Sequence, residues 1–163
     1  MGKEISRRSF LKTGTAAAIG LSVAPDMLAK KKKKEEAPLP LNRKLKILGV
    51  GIGGRGSSVL RGCETEDIIG LCDVDWKYAA KVFDRYPNAK RYNDYRVMFD
   101  ELLDEADAVV VATADHTHAI IAAQAICAGK HVYVEKPLTH TVYESRLLTK
   151  LAKKYGVATQ MGN

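Results

Sequence analysis

From residue 45 onward the chain alternates without a break between short apolar runs and amphipathic stretches of helical spacing. The apolar runs occupy 45–50, 67–72, 89–92, 108–112, 131–134 and 157–161, and the amphipathic stretches 57–63, 76–86, 95–103, 119–128 and 142–155. The run at 108–112 is almost wholly β-branched, as expected of a strand covered on both faces. Ala79, Ala80, Val82 and Phe83 set a helical period that Pro87 stops, and Gly129 and Gly156 stop the last two helices. Neighbouring parallel strands need helical crossovers, so this alternation predicts an α/β fold with a doubly wound parallel sheet. Six strands complete a Rossmann unit of two βαβαβ halves.

With 163 residues, 46% hydrophobic and 28% charged, the chain holds one domain with a proper core and is not generally disordered. No apolar run reaches the ~18–20 residues of a membrane span. Cys63, Cys72 and Cys127 stand far apart without a CxxC pattern, which argues against a zinc site or a disulfide framework. The net charge of +7 is unevenly placed. Residues 1–36 carry nine Lys/Arg against four Asp/Glu, and residues 37–163 carry seventeen against fifteen. The basicity belongs to the leader, so it does not point to nucleic acid.

Residues 1–29 read as an export signal. Ser6, Arg7, Arg8, Ser9, Phe10, Leu11 and Lys12, followed by a mildly apolar Ala/Gly stretch, resemble a twin-arginine signal. The cleavage site is poor: Leu28 is bulky and Pro25 follows the Ser22, Val23, Ala24 alternative, so an uncleaved anchor stays open. Residues 30–42 form a linker in which Lys30 to Lys34 repel one another, and a solvated spacer is its simplest reading. The globular domain is expected over 43–163.

Gly51, Ile52, Gly53, Gly54, Arg55 and Gly56 follow the first strand and open a helix. Alone a G-x-G-x-x-G pattern is weak, but this context is the one a dinucleotide site needs. Gly51 allows the turn, Gly53 the approach of a pyrophosphate, and Gly56 the packing of helix on strand, while the helix N-terminus faces the phosphates. Arg55 or Ser57 could add a contact. Asp73 ends the second strand 22 residues after Gly51, where a carboxylate accepts from both ribose hydroxyls and repels a 2′-phosphate. That favours NAD over NADP. Asp75 is expected to cap the next helix. Trp76 either covers the adenine or packs in the core.

The fourth strand runs into Thr113, Ala114, Asp115, His116, Thr117 and His118, and the fifth into Glu135, Lys136, Pro137 and Leu138. Both segments lie at strand carboxyl ends, where open α/β sheets bind ligands. His116 and His118 lack a third nearby ligand, so helix capping or cofactor contact is preferred to a metal. Together the glycine loop, Asp73, the A-T-A-D-H-T-H segment and E-K-P-L followed by Glu144 resemble the Gfo/Idh/MocA oxidoreductase family over about residues 43–163. The family usually has T-P-N where this chain has Thr113, Ala114 and Asp115. The resemblance implies that Lys136 hydrogen-bonds a substrate hydroxyl and assists proton transfer. It implies that Thr113, His118, Glu135 and Pro137 line the nicotinamide end, with the proline often cis. Glu135 is expected to orient Lys136.

The resemblance further implies a sugar or polyol substrate, a second α/β domain beyond Asn163, and a homo-oligomer for the full-length enzyme. This chain would then be the cofactor half, able to hold NAD but not to turn over substrate alone. Relatives with a G-G-R-G loop also include NAD-dependent glycosidases, which leaves a glycoside hydrolase as the alternative. A non-catalytic nucleotide-binding module is a third reading.

Overall fold

The computed structural model describes residues 42–163. The signal expected over 1–29 and all but the last residue of the linker lie outside the described residues. Six strands and five helices alternate: β1 (Lys46–Val50), α1 (Gly54–Arg61), β2 (Asp67–Cys72), α2 (Trp76–Arg85), β3 (Lys90–Tyr92), α3 (Tyr95–Leu102), β4 (Ala108–Val111), α4 (Asp115–Cys127), β5 (His131–Val134), α5 (Val142–Tyr155) and β6 (Thr159–Met161). All pairings are parallel, in the order β3-β2-β1-β4-β5-β6. The doubly wound sheet expected from the alternation is therefore present. Strand order reverses between β1 and β4, and a crevice opens there at the carboxyl ends of the strands.

The period-two pattern of the strands explains the two cores. Leu48, Val50, Val109 and Val111 face one side, with Met98, Phe99 and Leu102 of α3, Ile121 and Ala125 of α4, and Leu148 of α5. Ile47, Leu71 and Val110 face the other, with Leu60 of α1 and Ala79, Val82 and Phe83 of α2. Each buried aliphatic side chain of this kind contributes about 1.5–3 kcal/mol. The strands thus sit rigidly between two helical layers, and the turns at their ends inherit that rigidity.

Helix starts depart from the sequence expectation in an instructive way. The second helix starts at Trp76 as expected, with Asp75 as its cap: its side chain accepts from the Tyr78 amide at 2.9 Å. The first helix begins at Gly54, inside the glycine loop expected to open it, whereas α4 begins at Asp115, four residues before the expected 119. The first turn of α4 is polar, so the apolar period that marks a helix begins one turn late. Neither histidine caps α4, whose N-cap Ala114 makes no side-chain capping bond. Glu144, quoted with the E-K-P-L segment, proves to be the third residue of a capping box with Thr141 at the head of α5. Cys63, Cys72 and Cys127 are free thiols.

Candidate functional site

A cleft of about 930 Å³ lies over the carboxyl ends of β1, β2 and β4. Its floor is Gly51, Gly53, Asp73, Ala112 and Thr113. Glycine is required most strictly at two places in the loop. Gly51 has φ +74°, and a Cβ on it would lie 2.7 Å from the backbone of Ala112. A Cβ on Gly56 would run into the carbonyl oxygen of Gly51, so α1 packs directly on the turn below it. Ile52 is buried and does not line the cleft.

The head of α1 fits an anion. Gly53 is its N-cap, no side chain caps it, and its first turn carries no acidic residue. The first N–H groups of a helix have no partner within it, and the positive end of the helix dipole adds to them. Beside this cradle stands Asp73, half-buried at the end of β2. Its Oδ2 accepts from the Gly53 amide at 2.9 Å and its Oδ1 from the Asp75 amide at 3.0 Å. Each oxygen keeps a further lone pair toward the cleft, enough for two ribose hydroxyls. A dinucleotide's diphosphate and adenosine ribose therefore match the donors and acceptors present. Below them Cys72 is buried, and burial, then the nearby Asp73 and Asp94 carboxylates, push its thiol up to about 12. It is a packing residue there, not a nucleophile.

The second expected segment is built from side chains. Glu135 at the end of β5 is 5% exposed and still charged. Burial works against its ionised form, but hydrogen bonds from Arg55, the Lys136 amide and Tyr133 hold it below the usual carboxylate range. The distances are 3.0 Å from Arg55 Nε, 3.2 Å from Lys136 N and 3.1 Å from Tyr133 Oη. Glu135 thus shapes the turn and ties the glycine loop to it. It does not orient the Lys136 ammonium, as the sequence suggested, because it meets Lys136 only at the backbone. Lys136 is exposed, and among the described residues no hydrogen bond or ion pair engages its side chain. The Lys136–Pro137 peptide is cis.

His118 is 1% exposed, with Nδ1 2.8 Å from the Pro137 carbonyl oxygen and Nε2 3.0 Å from that of Thr113. A ring so enclosed cannot line the nicotinamide end itself. It staples the β4–α4 turn to the β5–α5 turn and acts on the cleft through them. His116 is exposed on the first turn of α4 and does not line the cleft, whereas Thr117 does. The Thr117 hydroxyl lies 2.7 Å from that of Thr113. Trp76 is outside the cleft and half-exposed, its ring 5.5 Å from that of Phe83. The aromatic residue that does face the cleft from α2 is Tyr78. Sequence reasoning passed it over, although its place two residues further into the capped helix, on the turn nearest Asp73, could have marked it.

Residues 44–163 match the model of an oxidoreductase family with an NAD-binding Rossmann fold. The chain belongs to the Gfo/Idh/MocA family. Among similar proteins, an inositol 2-dehydrogenase of Salmonella paratyphi B is 30% identical over 66% of this chain and 33% of its own length. A glycosyl hydrolase family 109 protein of Shewanella putrefaciens is 30% identical over 92% of this chain and 37% of its own. The crystal structure of GenD2 from gentamicin A biosynthesis, in complex with NAD, superposes with a TM-score of 0.64 at 34% identity, covering 74% of this chain and 34% of that one. This chain spans about a third of the length of each of these relatives.

Proposed function

We propose that this chain is the nucleotide-binding part of an exported NAD-dependent oxidoreductase that acts on a sugar or polyol hydroxyl by hydride transfer. The observation that carries the reading is the Asp73 carboxylate, held by the Gly53 amide beside the uncapped head of α1. That pairing sets a ribose acceptor next to a phosphate cradle, and an inositol 2-dehydrogenase and an NAD-bound neighbour stand among the similar proteins.

When bound, the dinucleotide supplies the hydride acceptor. The chain's own residues do the rest. The amides at the head of α1 take the diphosphate, and Asp73 takes the ribose hydroxyls and excludes a 2′-phosphate. Thr113, stapled by His118, and the turn formed by Glu135 wall the reacting end. The Lys136 side chain, unpaired among the described residues, meets the substrate hydroxyl; as the neutral amine it takes the hydroxyl proton on oxidation, and as the ammonium it returns that proton on reduction.

Calorimetry on the chain tests the cofactor half. NAD is expected to bind at least about tenfold more tightly than NADP, and Asp73→Asn to weaken NAD about tenfold or more, because a charge-assisted acceptor is lost. Equal affinity for the two nucleotides would refute the role given to Asp73. In a chain continued to the length of its relatives, Lys136→Ala is expected to lower kcat about a hundredfold or more. Unchanged turnover would remove Lys136 from the chemistry.

The Shewanella match favours the glycoside hydrolase as second reading. It covers 92% of the chain, more than residues 42–163 make up, so the likeness extends into the leader. Free NADH accumulating with turnover would speak for the dehydrogenase, and net hydrolysis without it for the alternative. Export through the twin-arginine route rests on the Ser6 to Lys12 motif. Replacing Arg7 and Arg8 with Lys is expected to hold the protein in the cytoplasm, and undiminished export would refute the route.

A further inference from the structure

We infer that Tyr78 is a diphosphate-binding residue, its phenol forming the outer wall of the phosphate cradle; the inference rests on the dinucleotide reading of the cleft. Tyr78 lies in the first turn of α2, 67% exposed, and lines the cleft. The Cδ1–Cε1 edge of its ring lies against the glycine loop. A Cβ on Gly53 would run into Cδ1 of the ring, and one on Gly54 would sit 2.8 Å from the hydroxyl oxygen. The same Gly53 position is 3.4 Å from Asp73 Oδ2. The side chain therefore spans the distance from the ribose carboxylate to the first residue of α1, the stretch a diphosphate must cross.

The chemistry of that place is specific. The Asp75 cap fixes the Tyr78 amide at 2.9 Å, which anchors the residue's backbone while leaving its ring at the cleft. Among the described residues the phenol has no hydrogen-bond partner, so its O–H is free to donate. Two glycines in succession leave room for that ring edge against the loop, and any larger residue at 53 would displace it. A neutral donor is suited to this position. A cation would pair with Asp73, 3.4 Å from the Gly53 site, and take from it the acceptor that the ribose needs.

The test is calorimetry with NAD and ADP-ribose, which share the diphosphate and differ in the nicotinamide. Tyr78→Phe is expected to weaken both by the same factor, about three- to tenfold, with an unchanged melting temperature. Tyr78→Ala is expected to weaken both further, through loss of the wall. Tyr143→Phe, on an exposed tyrosine of α5 outside the cleft, is expected to change neither. Wild-type affinity in Tyr78→Phe, tighter binding by Tyr78→Ala, or an effect on NAD but not on ADP-ribose would overturn the assignment. Failure of the unsubstituted chain to bind either nucleotide would overturn the dinucleotide reading itself and Tyr78's role with it, and so is distinguishable from the other outcomes.

Discussion

The glycine loop after β1 and the turn after β5 open on the same edge of the sheet, yet they are held in different ways. The loop is shaped by backbone: Gly51 N donates to the Cys72 carbonyl at 2.9 Å, Gly56 packs on the Gly51 carbonyl, and the Gly53 amide is fixed by Asp73. The turn is shaped by buried polar side chains, Glu135 with its three donors and His118 between two carbonyls. A backbone cradle leaves N–H groups free for a phosphate and tolerates almost no added atom. A side-chain scaffold depends on every partner being present. Arg55 joins the two, starting in the loop and ending on Glu135.

Three substitutions can break this contrast. The largest effect is expected from Gly56→Ala, because its new Cβ meets backbone that cannot yield. Urea unfolding should show a loss of more than about 3 kcal/mol. A loss below about 1 kcal/mol would mean that the loop adapts and is not a rigid backbone cradle.

His118→Ala should come next, at about 2–3 kcal/mol, since it leaves a cavity and removes the ring N–H that one of the two flanking carbonyls accepts. Its effect on NAD affinity should be smaller than that of Asp73→Asn, because His118 touches no ligand. The reverse ranking would show that the ring lines the site.

Arg55→Ala is expected to be the mildest at neutral pH, about 1–2 kcal/mol, because the guanidinium is 58% exposed and its attraction is screened by solvent. Its signature is in the pH dependence. Glu135 titrates below its ordinary 4.5 in the fold, so its ionised form stabilises fully above that value. The contribution fades as pH falls through the lowered value. Without Arg55, burial is opposed only by Tyr133 and the Lys136 amide, so the folded value moves up, and the acid loss becomes smaller and is complete at higher pH. Unfolding midpoints compared between about pH 3 and 7 should show the shift. Coincident profiles would show that Arg55 does not hold the charge.

The architecture was legible because the apolar period changes with each element, and both faces of β4 had to be covered. Asp73 was legible too, since the reach of one strand, crossover and strand places it opposite Gly53 almost whatever the details. The roles of His116, His118 and Glu135 were not. Sequence marks these residues as polar near a crevice, but exposure, set by how α4 and α5 close over the strand ends, decides which of them a ligand can touch. Tyr78 was missed for the same reason, while Trp76 beside it drew attention by size alone.

Residue order by itself determined the parallel sheet, the glycine loop and the carboxylate beside it, because those follow from period, chain reach and backbone freedom. Only the tertiary structure decided that the Glu135 carboxylate serves Arg55 and the turn, that His118 is a staple, and that Tyr78 covers the cradle. Those depend on side chains eighty, nineteen and about twenty-five residues apart meeting at one edge of the sheet. Local sequence carries no term for such meetings.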